Sequence, residues 1–344
     1  MDPGTPEKHS RRPDRKIRFG IAGFGLHAVR RLMPGFALAE NCVVAALSRR
    51  DPQKAREASE RYSIPNVYFS TRELCASPEI DAVFVTTPNS CHLEDVLTAV
   101  AAGKPVLCEK PMGMNADECC QMVEAASKAA VLLGVAQVFR FEDSTAHFRE
   151  RIAAGDVGRP ILARAEFSYP GISHPRTWLR NRAISGGGPL ADVGVHCIDA
   201  LRFILQDEVV NVSAVGHSDS QSGDVESAAI LSLEFSRGTL ATVMVSTRAQ
   251  YRTPLEIVGE SGVLRANDAL NVEHPIRIEL WRDGKLVSEE SVSNHLAYSR
   301  QVDTFAAAVR GQETFPVPGE EGWTNQRIID AAYRSLTLGK MLES

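Results

Sequence analysis

Three segments of this 344-residue chain hold side chains suited to chemistry. In Cys108-Glu109-Lys110-Pro111 a lysine follows Lys104-Pro105-Val106-Leu107, a short run after Ala101-Ala102-Gly103 that reads as a buried parallel strand. A lysine at the carboxyl end of such a strand stands where open α/β sheets bind ligands. Pro111 fixes the backbone behind it, so the ammonium is held in place. In the second segment, Ser185-Gly186-Gly187-Gly188-Pro189 leads into a helix carrying Asp192, Gly194 and His196. Asp192 and His196 are spaced i and i+4, on one face, and Gly194 leaves room beside them. Ala191, Val195, Ile198 and Leu201 make this helix largely buried, and a buried polar pair needs partners. The pair is either structural, capping a loop, or bound to a substrate hydroxyl. Three glycines, whose backbone can pass close to a ligand, and the independent lysine favour the second reading.

The third segment is Gly20-Ile21-Ala22-Gly23-Phe24-Gly25-Leu26-His27-Ala28, which follows a strand and opens a helix. Gly23 permits a tight turn, Gly25 lets the backbone approach a pyrophosphate, and Ala28 allows close helix–strand packing. The helix N-terminus then presents unpaired N–H groups to phosphates. The next strand ends at Ser48-Arg49-Arg50, where an NAD-selective site usually carries an acid. A hydroxyl and a guanidinium suit a 2′-phosphate, so NADP is expected in preference to NAD. The other reading makes Arg49 and Arg50 solvated residues ahead of a helix capped by Asp51. Thr86-Thr87-Pro88-Asn89-Ser90-Cys91-His92 forms a loop at the same sheet edge, with Asn89 or Ser90 available to cap the next helix. His92 either reaches the cofactor or packs on its helix.

The elements that must position these groups follow from apolar periodicity. Strands are expected over 17–22, 42–47, 81–86, 105–108 and 131–138, with helices near 26–39, 52–62, 92–102 and 115–129. That alternation is an α/β pattern with a doubly wound parallel sheet. After about Arg140 the character changes. A helix over 144–154 precedes β-rich segments at 160–168, 209–216, 225–235, 239–249, 253–259 and 276–290, with helices near 191–205, 296–310 and 323–341. This is an α+β pattern with a large open antiparallel sheet. A sheet of that size leaves a face or edge to be covered, here by another copy of the chain, giving a dimer or tetramer. The expected division is a disordered tail over 1–15, a dinucleotide-binding unit over 16–138 and a substrate-binding and oligomerisation unit over 139–344. The closing helices have the option of packing back on the first unit.

Apolar residues make up 44% of the chain and charged residues 24%, with a net charge of −5, so neither a nucleic-acid nor a membrane surface is indicated. No apolar stretch approaches the ~20 residues of a membrane span. Arg11-Arg12 lacks the long apolar region of an export signal, and a cytoplasmic protein is expected. The seven cysteines lack metal-site spacing and read as buried free thiols, with no metal.

Taken together, Gly23-Phe24-Gly25, Thr87-Pro88-Asn89 with His92, Glu109-Lys110-Pro111, and Gly186-Gly187-Gly188 before Asp192-x-Gly194-x-His196 resemble the Gfo/Idh/MocA oxidoreductases. The resemblance covers nearly the whole chain after the tail. It implies a Rossmann domain joined to an open-faced antiparallel sheet used for oligomerisation, and NAD(P) hydride chemistry on sugars, polyols and related compounds. Lys110, Asp192 and His196 match the family's catalytic positions. The expected cofactor contacts are Gly23, Phe24, Gly25, Leu26, Ser48, Arg49, Thr87, Pro88, Asn89, His92, Glu109 and Lys110. The expected substrate contacts are Lys110, Arg140, Trp178, Asp192 and His196, Arg140 being alternatively a brace at the domain junction. One departure is Trp178-Leu179-Arg180, where sugar-reducing members often carry Trp-Arg. Two rival functions share the scaffold: a redox-neutral glycosidase or lyase with retained NAD, and a non-catalytic NADPH sensor.

Overall fold

The computed structural model describes residues 15–340, so the tail expected over 1–15 lies outside the described residues except for Arg15. Six strands form the first sheet: β1 (Ile17–Ala22), β2 (Cys42–Ser48), β3 (Asn66–Tyr68), β4 (Ala82–Val85), β5 (Val106–Cys108) and β6 (Leu133–Val135). All pairings are parallel, in the order β3-β2-β1-β4-β5-β6. The order reverses between β1 and β4, which opens a crevice at their carboxyl ends. Helices cover both faces, so Phe19, Ile21, Val83, Phe84 and Leu107 are fully buried, and the strands read as unbroken apolar runs. Asp51 and Asn115 cap their helices, accepting from the Lys54 and Glu118 amides at 3.1 and 2.9 Å. The edge strand β3 and the short helix Thr71–Ala76 were not anticipated; each is too short to show a period.

Eight strands form the second sheet: β7 (Pro160–Ser168), β8 (Val209–His217), β9 (Ala228–Phe235), β10 (Leu240–Ser246), β11 (Leu255–Gly259), β12 (Val263–Ala266), β13 (Ile276–Arg282) and β14 (Lys285–Val292). Their order is β14-β13-β12-β11-β7-β10-β9-β8. The sheet is mixed rather than antiparallel, because β7 and β10 run parallel. These strands are remote in sequence, so no hairpin constrains their sense. The segment expected as one strand over 276–290 is a hairpin. It turns at Asp283-Gly284, both with positive φ (49° and 69°), the backbone that a two-residue turn of this kind demands. In β9, Ala229, Leu231, Leu233 and Phe235 are buried while Ile230, Ser232 and Glu234 are exposed, so one face of this sheet is open.

The closing helices bind the two halves together. Ala297–Val309 lies on Met33–Leu38, and Gly319–Lys340 lies across Ala116–Ala129 and β8. Just before it, Val317 extends the first sheet by accepting from the Val135 amide at 2.9 Å. Phe305 stands 5.9 Å from Phe19 and 5.1 Å from Phe315, which stacks on Phe141 at 5.8 Å. One apolar core thus runs from the first sheet into the second half.

Candidate active site

A cavity of about 440 Å³ lies at the carboxyl edge of the first sheet, walled on its other side by the second half. Lys110 enters from the end of β5. Asp192 and His196 enter from the second half, where Leu190–Gly194 winds as a π turn before the α-helix Val195–Leu205. Such widened turns recur at functional sites. The Lys110 ammonium donates to the Asp192 carbonyl at 2.6 Å and lies 3.5 Å from its carboxylate. Tyr169, just past β7, donates its hydroxyl to the other carboxylate oxygen of Asp192 at 2.7 Å. Burial alone would raise the Asp192 carboxyl; Lys110, Arg176 and the Tyr169 hydrogen bond together hold it well below the usual range. Burial, then the Lys110 charge, pushes the His196 imidazole well below its ordinary value of 6.5. Its ring lies 4.4 Å from Phe139 and 6.2 Å from Phe167, and its Nδ1 is buried without a hydrogen-bond partner. A neutral imidazole facing the cavity suits a role as proton acceptor.

The other end of the cavity is the glycine turn. Gly23 has φ +82°, and a Cβ there would sit 2.6 Å from Thr87. At Gly25 the nearest atom to such a Cβ is the Gly23 carbonyl at 3.6 Å, so the space over the turn is open, a cradle for a pyrophosphate. Leu26, Thr87, Pro88, Asn89, His92 and Glu109 line this end. Glu109 Oε1 lies 2.8 Å from His27 Nε2. Burial would raise its carboxyl; His27 and Lys110 outweigh that and keep it ionised. Ser48 is buried, and its carbonyl accepts from the amides of Gly23 and Phe24 at 3.1 and 2.9 Å. Arg49 and Arg50 follow, neither with a carboxylate partner among the described residues, while Asp51 is engaged by Lys54. The open turn, the carboxyl-edge crevice and these guanidiniums fit a nicotinamide dinucleotide.

A profile described as "Oxidoreductase family, NAD-binding Rossmann fold" matches residues 17–137, and one described as "GFO/IDH/MocA C-terminal domain" matches residues 145–265. The chain belongs to the Gfo/Idh/MocA oxidoreductase family. It is 30% identical to a 1,5-anhydro-D-fructose reductase of Ensifer adhaerens, over 92% of this chain and 96% of that one. It is also 30% identical to a D-xylose 1-dehydrogenase (NADP(+)) of Haloferax volcanii, over 95% and 99%. The crystal structure of an aldose-aldose oxidoreductase from Caulobacter crescentus, complexed with glycerol, superposes with a TM-score of 0.88 at 28% identity, covering 94% of this chain and 98% of that one. The protein is an NAD(P)-dependent oxidoreductase.

Several site residues of this Gfo/Idh/MocA chain stand apart from the expected places. Arg140 does not line the cavity. It forks onto Asp199 at 2.9 and 2.7 Å and reaches Glu321 at 2.7 Å, the contacts of the brace reading. The Phe24 side chain is fully buried in the core, its ring 5.7 Å from Tyr62. Asn89 caps no helix; its amide donates to the Ser185 carbonyl at 2.8 Å and ties the two halves together. Both His92 nitrogens lie within 3.0 Å of main-chain carbonyls, of Pro111 and Thr87, so it braces the Lys110 turn as well as facing the cavity. The glycine run serves packing: a Cβ at Gly187 would fall 1.7 Å from the Tyr333 hydroxyl. Trp178 does line the cavity. Tyr169, His174 and Arg176 also line it and were not singled out from sequence. They lie between β7 and the glycine run, in a stretch with no periodic pattern to mark them.

Proposed function

We propose that this protein moves a hydride between NADP(H), in preference to NAD(H), and a hydroxyl-bearing or carbonyl carbon of a sugar or polyol, through Lys110, Asp192 and His196. The observation that carries this reading is the meeting of Lys110, from the dinucleotide half, with Asp192 and His196 in one cavity. The names of the two relatives, a sugar reductase and a sugar dehydrogenase, support the substrate class. The bound nicotinamide supplies or accepts the hydride. Lys110 donates to the reacting oxygen and stabilises its developing negative charge. His196 takes the hydroxyl proton in oxidation and returns it in reduction. Asp192, fixed by Tyr169, holds the Lys110 ammonium and orients the substrate beside His196. In oxidation the carbinol carbon loses a hydride to the dinucleotide, its hydroxyl loses a proton to His196, and the carbonyl forms.

The unpaired Arg49 and Arg50 at the end of β2 support the NADP preference, because a 2′-phosphate gives them the anion they lack. Residues 16–138 carry the dinucleotide and 139–344 the substrate. The open face of the second sheet exposes Leu162 (50%), Ile230 (46%) and Leu240 (53%), which supports pairing with a second copy. Light scattering at working concentration tests this, and a monomer removes it. The free state of all seven cysteines supports a reducing, cytoplasmic setting, checked by cell fractionation. The central test is near-UV absorbance with NADP(H) and NAD(H) against sugars, inositols and ketoses. Turnover of at least one member is expected, and silence across the panel with a bound dinucleotide rejects the reading.

A further inference from the structure

Among the described residues, Arg176 is the charged group in the reaction cavity that forms no close ion pair, although its charge also bears on the Asp192 carboxylate. The others are paired: Lys110 with Asp192 at 3.5 Å, Glu109 with His27 at 2.8 Å, and Arg31 with Glu273 at 2.9 Å. No carboxylate oxygen lies within 4.0 Å of the Arg176 guanidinium among the described residues; its neighbour is the Trp178 ring, 6.0 Å from the centroid. Arg176 also lines a small chamber bounded by Gly188, Val225 and Thr247, to which the glycine turn and the Lys110 turn contribute nothing. It therefore stands at the substrate end of the cavity, beyond Asp192, and away from any pyrophosphate. The Arg176 amide donates to His174 Nδ1 at 3.2 Å. Burial and the Arg176 charge keep that imidazole neutral, so its Nε2 carries the hydrogen and is a second donor on the same wall.

A guanidinium offers a planar fork that matches a carboxylate, and a single guanidinium without a close ion pair matches a monoanion. The Trp178 face beside it is an apolar platform of the kind a sugar ring covers. We propose that Arg176, with His174 and Trp178, makes the cavity selective for a sugar acid, its carboxylate bound by Arg176 while a hydroxyl-bearing carbon lies at Lys110 and His196. The carboxylate is unchanged by the reaction. This rests on the hydride-transfer reading and narrows its substrate class.

The test is calorimetric titration of the full chain saturated with NADPH, so that an alcohol binds without being oxidised. D-gluconate is compared with D-glucitol, D-galactonate with galactitol, and methyl glucuronoside with methyl glucoside; glucose 6-phosphate serves as the dianion. In at least one pair the acid binds about tenfold or more tightly than its neutral partner, the scale of hydrogen bonds to a charged group. Arg176→Gln removes that ratio, and Arg176→Lys, which keeps the charge and loses the fork, lowers it by a smaller factor. No acid preference in any pair, tighter binding of the phosphate, or a ratio unchanged in both variants overturns the proposal. An acid that binds selectively but gives no nicotinamide absorbance change leaves this site standing and removes the hydride reading. A neutral sugar turned over without acid selectivity does the reverse.

Discussion

Lys110 grips Asp192 by its main chain: the ammonium lies 2.6 Å from the carbonyl and 3.5 Å from the carboxylate. One residue comes from the carboxyl end of the first sheet and the other from a π turn packed against the second. The contact fixes the ammonium across the junction of the halves. Because one donor reaches the carbonyl, the ammonium retains further hydrogens for a substrate oxygen.

Lys110→Met should therefore lower kcat by about 10²- to 10³-fold, the range for losing a donor at a developing oxyanion. Lys110 is distinct from the open turn at Gly25, so dinucleotide affinity, read by fluorescence titration, should shift only a few-fold. Near-normal turnover in this variant rules out the assigned role.

The pH profile follows from His196. Its imidazole is held below 6.5 by burial and by Lys110, and it is the neutral form that accepts a proton. In the oxidation direction kcat/KM should stay level as pH falls through 6.5 and decline only below it. An acid limb centred at or above 6.5 contradicts the assignment. The same depression has a stability consequence. Between the lower folded value and 6.5 the unfolded chain binds the proton that the folded chain refuses, so stability from this group is complete above 6.5 and is lost as pH falls below it. Urea unfolding of His196→Gln, a neutral variant, should show a weaker loss over that window than the wild type.

Much of this was legible from periodicity and punctuation. The strands β1 and β7 and the helix Pro52–Tyr62 fall where their apolar patterns and caps place them. The Lys110, Asp192 and His196 segments were visible because glycine and proline flank each of them. Arg140 was left between substrate contact and brace because nothing local to Phe139-Arg140-Phe141 reveals Asp199 and Glu321, which lie 59 and 181 residues away. The parallel β7–β10 pair was hidden for the same reason, since its register is set by long-range packing. Tyr169 was hidden because a tyrosine after a strand looks the same whether its hydroxyl meets water or a buried carboxylate.

Cofactor choice is tested at Arg49. Asp51, the nearest acid after β2, accepts from the Lys54 amide at 3.1 Å and so serves the helix, not a ribose. The ratio of kcat/KM for NADP over NAD should exceed one, and Arg49→Ala should lower it by about tenfold, near the value of one charge-assisted hydrogen bond. An unchanged ratio leaves Arg49 a solvated residue.

The Arg140 brace makes a prediction of a different kind. Its side chain is 9% exposed and Asp199 is 1% exposed, and Asn325 donates to the same carboxylate at 2.8 Å while Arg202 joins Glu321 at 3.0 Å. Burial alone would favour a neutral arginine, but Asp199 and Glu321 overcome it and hold the guanidinium charged. This network joins the segment after β6 to the His196 helix and to the closing helix Gly319–Lys340. Removing the cation leaves the buried Asp199 with the Asn325 amide as its remaining hydrogen-bond donor among the described residues. Arg140→Met should cost about 3–5 kcal/mol in chemical denaturation, the range for breaking a buried ion pair from one side. Asp199→Asn in that background should recover part of the loss, because the stranded charge is gone while the hydrogen bond to Asn325 can persist. At a temperature where Arg140→Met remains folded, KM should change little, since the side chain does not reach the cavity. A large KM increase with stability intact would return Arg140 to the substrate.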